Sequence, residues 1–161
     1  MQEPRKASSS GLVTFAILSH VFSFLSLFFA VMVYVDGPRD LWRALSWVCV
    51  VPALVFNCLI LHRGWKAVQD GNAKTTPGQA VGYCFIPLFN LYWCFVAYHG
   101  LMQEFNRLAV ARGRPDQKVN EGISLTQCIL QVTICLAVFS LPFSIVVTWQ
   151  IIGAVKDIER A

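Results

Sequence analysis

Residues Gly11 to Val35 form an unbroken apolar run without a single charged side chain. No other feature limits the possible folds so sharply. At about 1.5 Å per residue, a helix over this stretch crosses a hydrocarbon layer with some tilt. The run is too long for the core of a secretory signal and has no Ala-x-Ala exit, so it reads as an uncleaved anchor. Three further apolar blocks follow, at 44–61, 80–101 and 122–153. Hydrophobic residues make up 56% of the 161 positions, more than a soluble domain of this size can hide, because its surface-to-volume ratio is too high. The sequence therefore predicts an all-α integral membrane bundle of four transmembrane helices. A polar head (1–10) precedes it and a short polar tail (154–161) follows it.

The connections fit this plan. Ser8, Ser9 and Ser10 can cap the first helix. Gly37-Pro38 turns the chain between the first two spans. Pro52 interrupts the second span, and Trp42, Trp47 and Trp65 sit near its ends as an aromatic belt would. His62 to Asp70 continues that helix outward until Gly71 and Asn72 end it. Met102 to Arg112 extends the third span as a polar helix carrying Glu104 and Arg107, and 112–121 is the longest polar loop. Ala67-Val68-Gln69-Asp70 is echoed by Ala154-Val155-Lys156-Asp157, as a duplicated hairpin would produce.

The third block is the least ordinary. Pro77-Gly78 reads as a turn, and Ala80 and Gly82 leave room for a neighbouring backbone. Pro87 lacks an amide hydrogen and its ring crowds the carbonyl of Tyr83, which must find another donor. Asn90 follows one turn later. Two geometries remain open: a Pro-kinked span, or a re-entrant segment that dips in at Pro87 and returns. With four spans the Lys and Arg residues divide seven against six, nearly without bias. With a re-entrant third segment they divide nine against four, which suits the positive-inside rule better. Sufficient length and the difficulty of protecting an irregular loop from lipid favour four spans with both termini cytoplasmic.

Helical rise places His20 roughly 14 Å and Asn90 roughly 15 Å into their segments. Gln131, entering from the other face, reaches a similar depth. His20, Asn90 and Gln131 can then meet near Pro87 at the midplane, with Asn57 and Gln127 further out. On this reading, replacing Asn90 by leucine destabilises the fold or abolishes activity. Ser19, Ser23, Ser26 and Ala30 share one face of the first helix. Thr126, Thr133, Ala137, Ser140, Ser144 and Thr148 share one face of the fourth. Both stripes read as packing faces, since small residues let helices approach closely.

Catalytic chemistry finds no footing. Every charged side chain lies outside the spans, and no paired carboxylates, activated nucleophile or phosphate loop appears. The six cysteines sit in apolar blocks without metal-ligand spacing and read as small hydrophobes. In the four-span topology His62 and His99 fall on opposite faces, so they cannot share a metal. No catalytic, cofactor or metal residue is assigned. The net charge of +4 comes without a basic stripe interleaved with aromatics, which argues against nucleic acid as a partner. The partners expected are the lipid bilayer, a second copy of the chain, or another membrane protein.

Pro77-Gly78-x-Ala80-Val81-Gly82, then Phe85-Ile86-Pro87 and Asn90-Leu91, preceded by Trp65-Lys66-Ala67, resembles a bacterial family of small membrane proteins of unknown function. The likeness covers about thirty residues. Where members often carry a second proline after Asn-Leu, this chain has Tyr92-Trp93. The resemblance implies four membrane helices and a bacterial inner membrane, and it implies no activity or catalytic residue. The functional expectation is a scaffold or accessory protein. The alternative is a small channel or carrier for a neutral or lipid-like solute through the midplane cluster.

Overall fold

The structure is a computed structural model that describes residues 9–35, 38–133 and 140–159. The described residues are almost entirely helical and include no strand. They divide into two compact units, Ser10–Ile60 and a second one holding Leu61–Ala161. The head before Ser9, Cys135 and Ala137 lie outside the described residues.

The first unit is a helical hairpin. Helix α1 runs over Ser9–Val35 and α2 over Arg39–Ala67, the latter continuing through Pro52 rather than stopping there and passing into the second unit. These are the two helices, among the described residues, that are long and apolar enough to cross a membrane. The limbs run antiparallel: Phe15 stacks on Phe56, Ser26 bonds Ser46 and Phe29 stacks on Trp42. The small-residue stripe of α1 does face its partner. Ser19 is buried, donates to Ala53 O at 3.4 Å, and accepts from Asn57 Nδ2 at 2.8 Å. Ser46 Oγ donates to Ser26 O at 3.2 Å. The outward face is apolar: Ile17, Val21, Phe24, Phe28 and Val31 on α1, and Val48, Val51 and Val55 on α2, are all exposed. Hydroxyls inside and hydrocarbon outside is the reverse of the arrangement water favours.

The second unit departs from the expected single spans. Segment 80–101 is not one kinked helix. A short helix α3, Pro77–Gly82, tightens into a 3-10 turn at Tyr83–Phe85. Ile86 is extended, and α4 starts afresh at Pro87 and runs to Cys94. The cause is Pro87 itself, which cannot donate to a helix ladder but suits the first helical position. The Tyr83 carbonyl, deprived of that donor, accepts from Ile86 N at 3.3 Å. The chain then folds back on itself. Trp93 Nε1 donates to Ala80 O at 3.2 Å, and the Tyr83 ring lies 4.8 Å from Trp93 and 5.7 Å from Phe89. Pro77-Gly78 is likewise a helix start and not a free turn. Thr76 caps α3 in a capping box with Gln79. Ala80 is buried as expected, whereas a side chain on Gly78 or Gly82 would meet nothing within 4 Å.

After α4 the helix widens into a π turn at Phe95–His99 and continues as α5, Gly100–Ala111. Gly113 (φ +69°) ends α5 in a Schellman motif, with Arg114 N reaching back to Ala109 O. Segment 122–153 is also divided: α6 covers Glu121–Val132 and α7 covers Ser140–Glu159, so the expected tail is helical as far as Glu159. Along α6, Glu121 meets Asn106, Ser124 meets His99 and Cys128 meets Cys94, so α6 runs against the 94–106 direction. Along α7, Ile151 lies with Leu101 over Gly64, and the Ile158 carbonyl accepts from Arg112. Helix α7 thus runs with α5, and α6 and α7 pack as a second antiparallel pair. The break after Val132 splits the expected polar stripe. Thr126 and Thr133 are exposed and bond only their own helix, and Thr148 is buried on α7. Trp65 is no belt residue. It is buried in the second unit, where Nε1 donates 2.9 Å to Ala97 O inside the π turn.

Candidate functional site

The ion pairs of the second unit gather on α5. Arg107, on α5, is the centre. Its Nε donates to Glu104 Oε2 at 2.7 Å, one helical turn back. Its Nη1 and Nη2 donate to Asp70 Oδ2 and Oδ1 at 2.8 and 2.9 Å. The planar fork of arginine makes a bidentate and a single bond simultaneously, which a lysine cannot do. Glu104 is only 1% exposed, and Arg107 is its ion-pair partner. These hydrogen bonds hold the Asp70 carboxyl down at about 2, below its ordinary 3.8, with the Asn72 amide adding to the effect. Both carboxylates in turn push Arg107 further up.

Two polar chains flank this clasp. Asn106 binds the 118–121 turn through three bonds: Nδ2 to Glu121 Oε1 at 2.6 Å, Nδ2 to Val119 O at 3.0 Å, and Oδ1 from Val119 N at 2.7 Å. Gln103 Nε2 lies 3.1 Å from His99 Nε2, and His99 Nδ1 lies 3.3 Å from Ser124 Oγ. Because an amide nitrogen only donates, Nε2 accepts and Nδ1 carries the hydrogen. Ser124 Oγ passes its own hydrogen to Glu121 O at 2.8 Å. The chain is satisfied end to end, and the histidine takes no proton from the serine. It is a structural relay, not a nucleophile and base. Among the described residues no group of three His, Cys, Asp or Glu could hold a metal ion.

The residues of the expected midplane cluster fall in both units. His20 belongs to the first unit, where Nδ1 donates 2.7 Å to Ala16 O. In the second unit the pairing of Cys94 with Cys128 sets Asn90 and Gln131 at the same level on neighbouring helices, yet no hydrogen bond joins their side chains. Asn90 uses its backbone amide, donating 2.7 Å to Ile86 O and closing the first turn of α4. Gln131 is exposed. Asn57 bonds Ser19 instead, and Gln127 is buried with Oε1 unpartnered, as is Gln150 Oε1. The polar constellation that does form, Asp70 with Glu104 and Arg107, was hidden in sequence. Glu104 and Arg107 have ion-pair spacing on a helix, but nothing marks Asp70, 37 positions earlier, as the third member.

Compared with known proteins, the chain matches no family model, no curated protein and no solved structure.

Proposed function

We propose that this chain is a membrane-embedded scaffold or accessory protein with no chemistry of its own, seated in a bacterial inner membrane as its motif resemblance implies. The observation that carries the membrane reading is the inverted pattern of the first unit, with Ser19, Ser26 and Asn57 bonded inside and an apolar stripe from Ile17 to Val31 outside. In this reading α1 and α2 cross the bilayer, and the two later apolar segments enter and leave on one side. Eleven of the thirteen Lys and Arg residues, all but Arg39 and Arg43, then share the side of both termini. That bias exceeds the one offered by four spans, and it makes the shared side cytoplasmic.

The scaffold reading rests on how the charges are used. Arg107 is occupied by two carboxylates and fastens the turn after α2 to α5, so its charge serves packing. What the protein would offer a partner is its cytoplasmic face. A second reading, a carrier for a neutral solute, has one observation in its favour: the unpartnered buried oxygens of Gln127 and Gln150. Purification in mild detergent separates the two. A stoichiometric membrane-protein partner supports the scaffold. Solute flux in liposomes that is lost in Gln127→Leu supports the carrier.

A further inference from the structure

We infer that the hairpin formed by α3 and α4 penetrates a single leaflet, and that the partner of its exposed tip is the acyl chains of the cytoplasmic leaflet. This rests on the membrane reading above and adds a depth and an occupant. Four observations converge.

The first is charge. From Thr75 to Gln103 no side chain is charged, while Lys74 precedes this stretch and Glu104 and Arg107 follow it. The second is level. Gln69 Nε2 bridges Trp65 O and Thr75 O, both at 3.0 Å, and Trp65 bonds Ala97. The point where the chain enters the hairpin and the point where it leaves are thereby tied to the same buried tryptophan. Asp70, before the hairpin, and Arg107, after it, are bonded to each other. The third is reach. The descending limb, Pro77 to Phe85, extends about 14 Å at ~1.5 Å per residue, half of a hydrocarbon core of about 30 Å. A limb of that length ends near the bilayer centre. The fourth is the tip. Phe85, Ile86, Leu91 and Tyr92 are exposed and Leu88 is 84% exposed. Meanwhile the limbs are bonded to each other, with the Trp93 indole donating to Ala80 O and its ring packed on Phe89 and Tyr83. The polar handle of Trp93 is satisfied inside the hairpin, so the indole itself needs no aqueous interface.

Two variants of the full chain in oriented proteoliposomes test this. Leu88→Cys is treated with a membrane-impermeant maleimide from each face, counting label gained over the parent chain. The inference predicts no gain from either face and gain after detergent. A photoactivatable diazirine residue at position 88 then reports the neighbour by mass, and the prediction is a phospholipid adduct. Gain from the Pro115 face without detergent means the tip is not inserted, and gain from the opposite face means the segment crosses. An adduct with protein means another chain covers the tip. Each of these overturns the inference. Arg39→Cys and Pro115→Cys, labelled in parallel, keep the underlying reading separate: labelling from opposite faces upholds the two-span topology even if the Leu88 result fails. Labelling from the same face removes the topology itself.

Discussion

The Arg107 guanidinium grips Asp70 with both Nη atoms, at 2.8 and 2.9 Å, across 37 positions of sequence. The same group holds Glu104 through Nε at 2.7 Å. One side chain therefore joins the end of α2 to α5 and neutralises a carboxylate that is almost wholly buried.

Arg107→Ala should be the most damaging single change at the base. Removing one partner of a fully buried pair costs about 3–5 kcal/mol. Arg107 is 35% exposed, and solvent screening lowers the expectation to about 2–3 kcal/mol. Arg107→Lys should recover only part of this, because a lysine has no planar fork with which to grip Asp70 bidentately. Asp70→Asn should cost less than either, since Glu104 keeps its partner. Thermal unfolding of the three variants in one detergent checks the order.

Acid should loosen the clasp in a defined window. Asp70 titrates lower in the folded chain, at about 2, than its ordinary 3.8. A depressed carboxyl stabilises the fold fully above the unfolded value, and the stabilisation is lost as pH falls through the folded one. The wild-type melting temperature should therefore fall more between pH 4 and pH 2 than that of Asp70→Asn.

Gly64 sits where three helices converge. A Cβ there would lie 2.8 Å from Leu101 Cδ2 and 3.1 Å from Ile151 Cγ2. Leu101 Cδ2 ends a flexible side chain, and Ile151 Cγ2, on a stiff β-branched one, must give by only a few tenths of an ångström, so Gly64→Ala should be nearly neutral once the gain in helix propensity is included. Gly64→Val adds two further carbons to a filled site and should cost about 1–3 kcal/mol. The difference between the two midpoints is the readout.

Within the α1–α2 hairpin, Asn57→Ala removes the 2.8 Å bond to Ser19. Interhelical bonds of this kind average about 0.6 kcal/mol and reach about 1.7. Asn90→Leu should do less, contrary to the sequence expectation, because the Asn90 side chain bonds nothing and only its backbone closes α4. Steric-trap or thermal measurements in the same detergent would rank the pair. An Asn90→Leu loss above that of Asn57→Ala would mean that the amide has a partner after all.

The helical class, the two long apolar helices and the packing role of Ser19 and Ser26 were readable from the sequence, because uncharged length and small-residue spacing are local properties. The importance of Pro87 was readable too, including the need of the Tyr83 carbonyl for a new donor. What it does to the path of the chain was not. A proline at this depth is equally compatible with a kink and with a helix start, and the decision lies with Trp93 and Tyr83 closing on one another. The division of 122–153 left no mark in hydropathy, since both halves are apolar. Depth arithmetic assumed unbroken helices, so it carried Asn90 and Gln131 to one level without supplying a bond. The sequence set Glu104 on a polar extension of the third span, and its burial arises from Arg107 and the fold around it.

In the proposed topology the chain returns to its starting side after each of the last two apolar segments. A topology reporter fused at Pro115, expressed in bacterial cells, addresses it directly. The two-span account predicts a cytoplasmic signal there, on the same side as both termini. A periplasmic signal at Pro115 would mean that segment 80–101 crosses the membrane, and would contradict it.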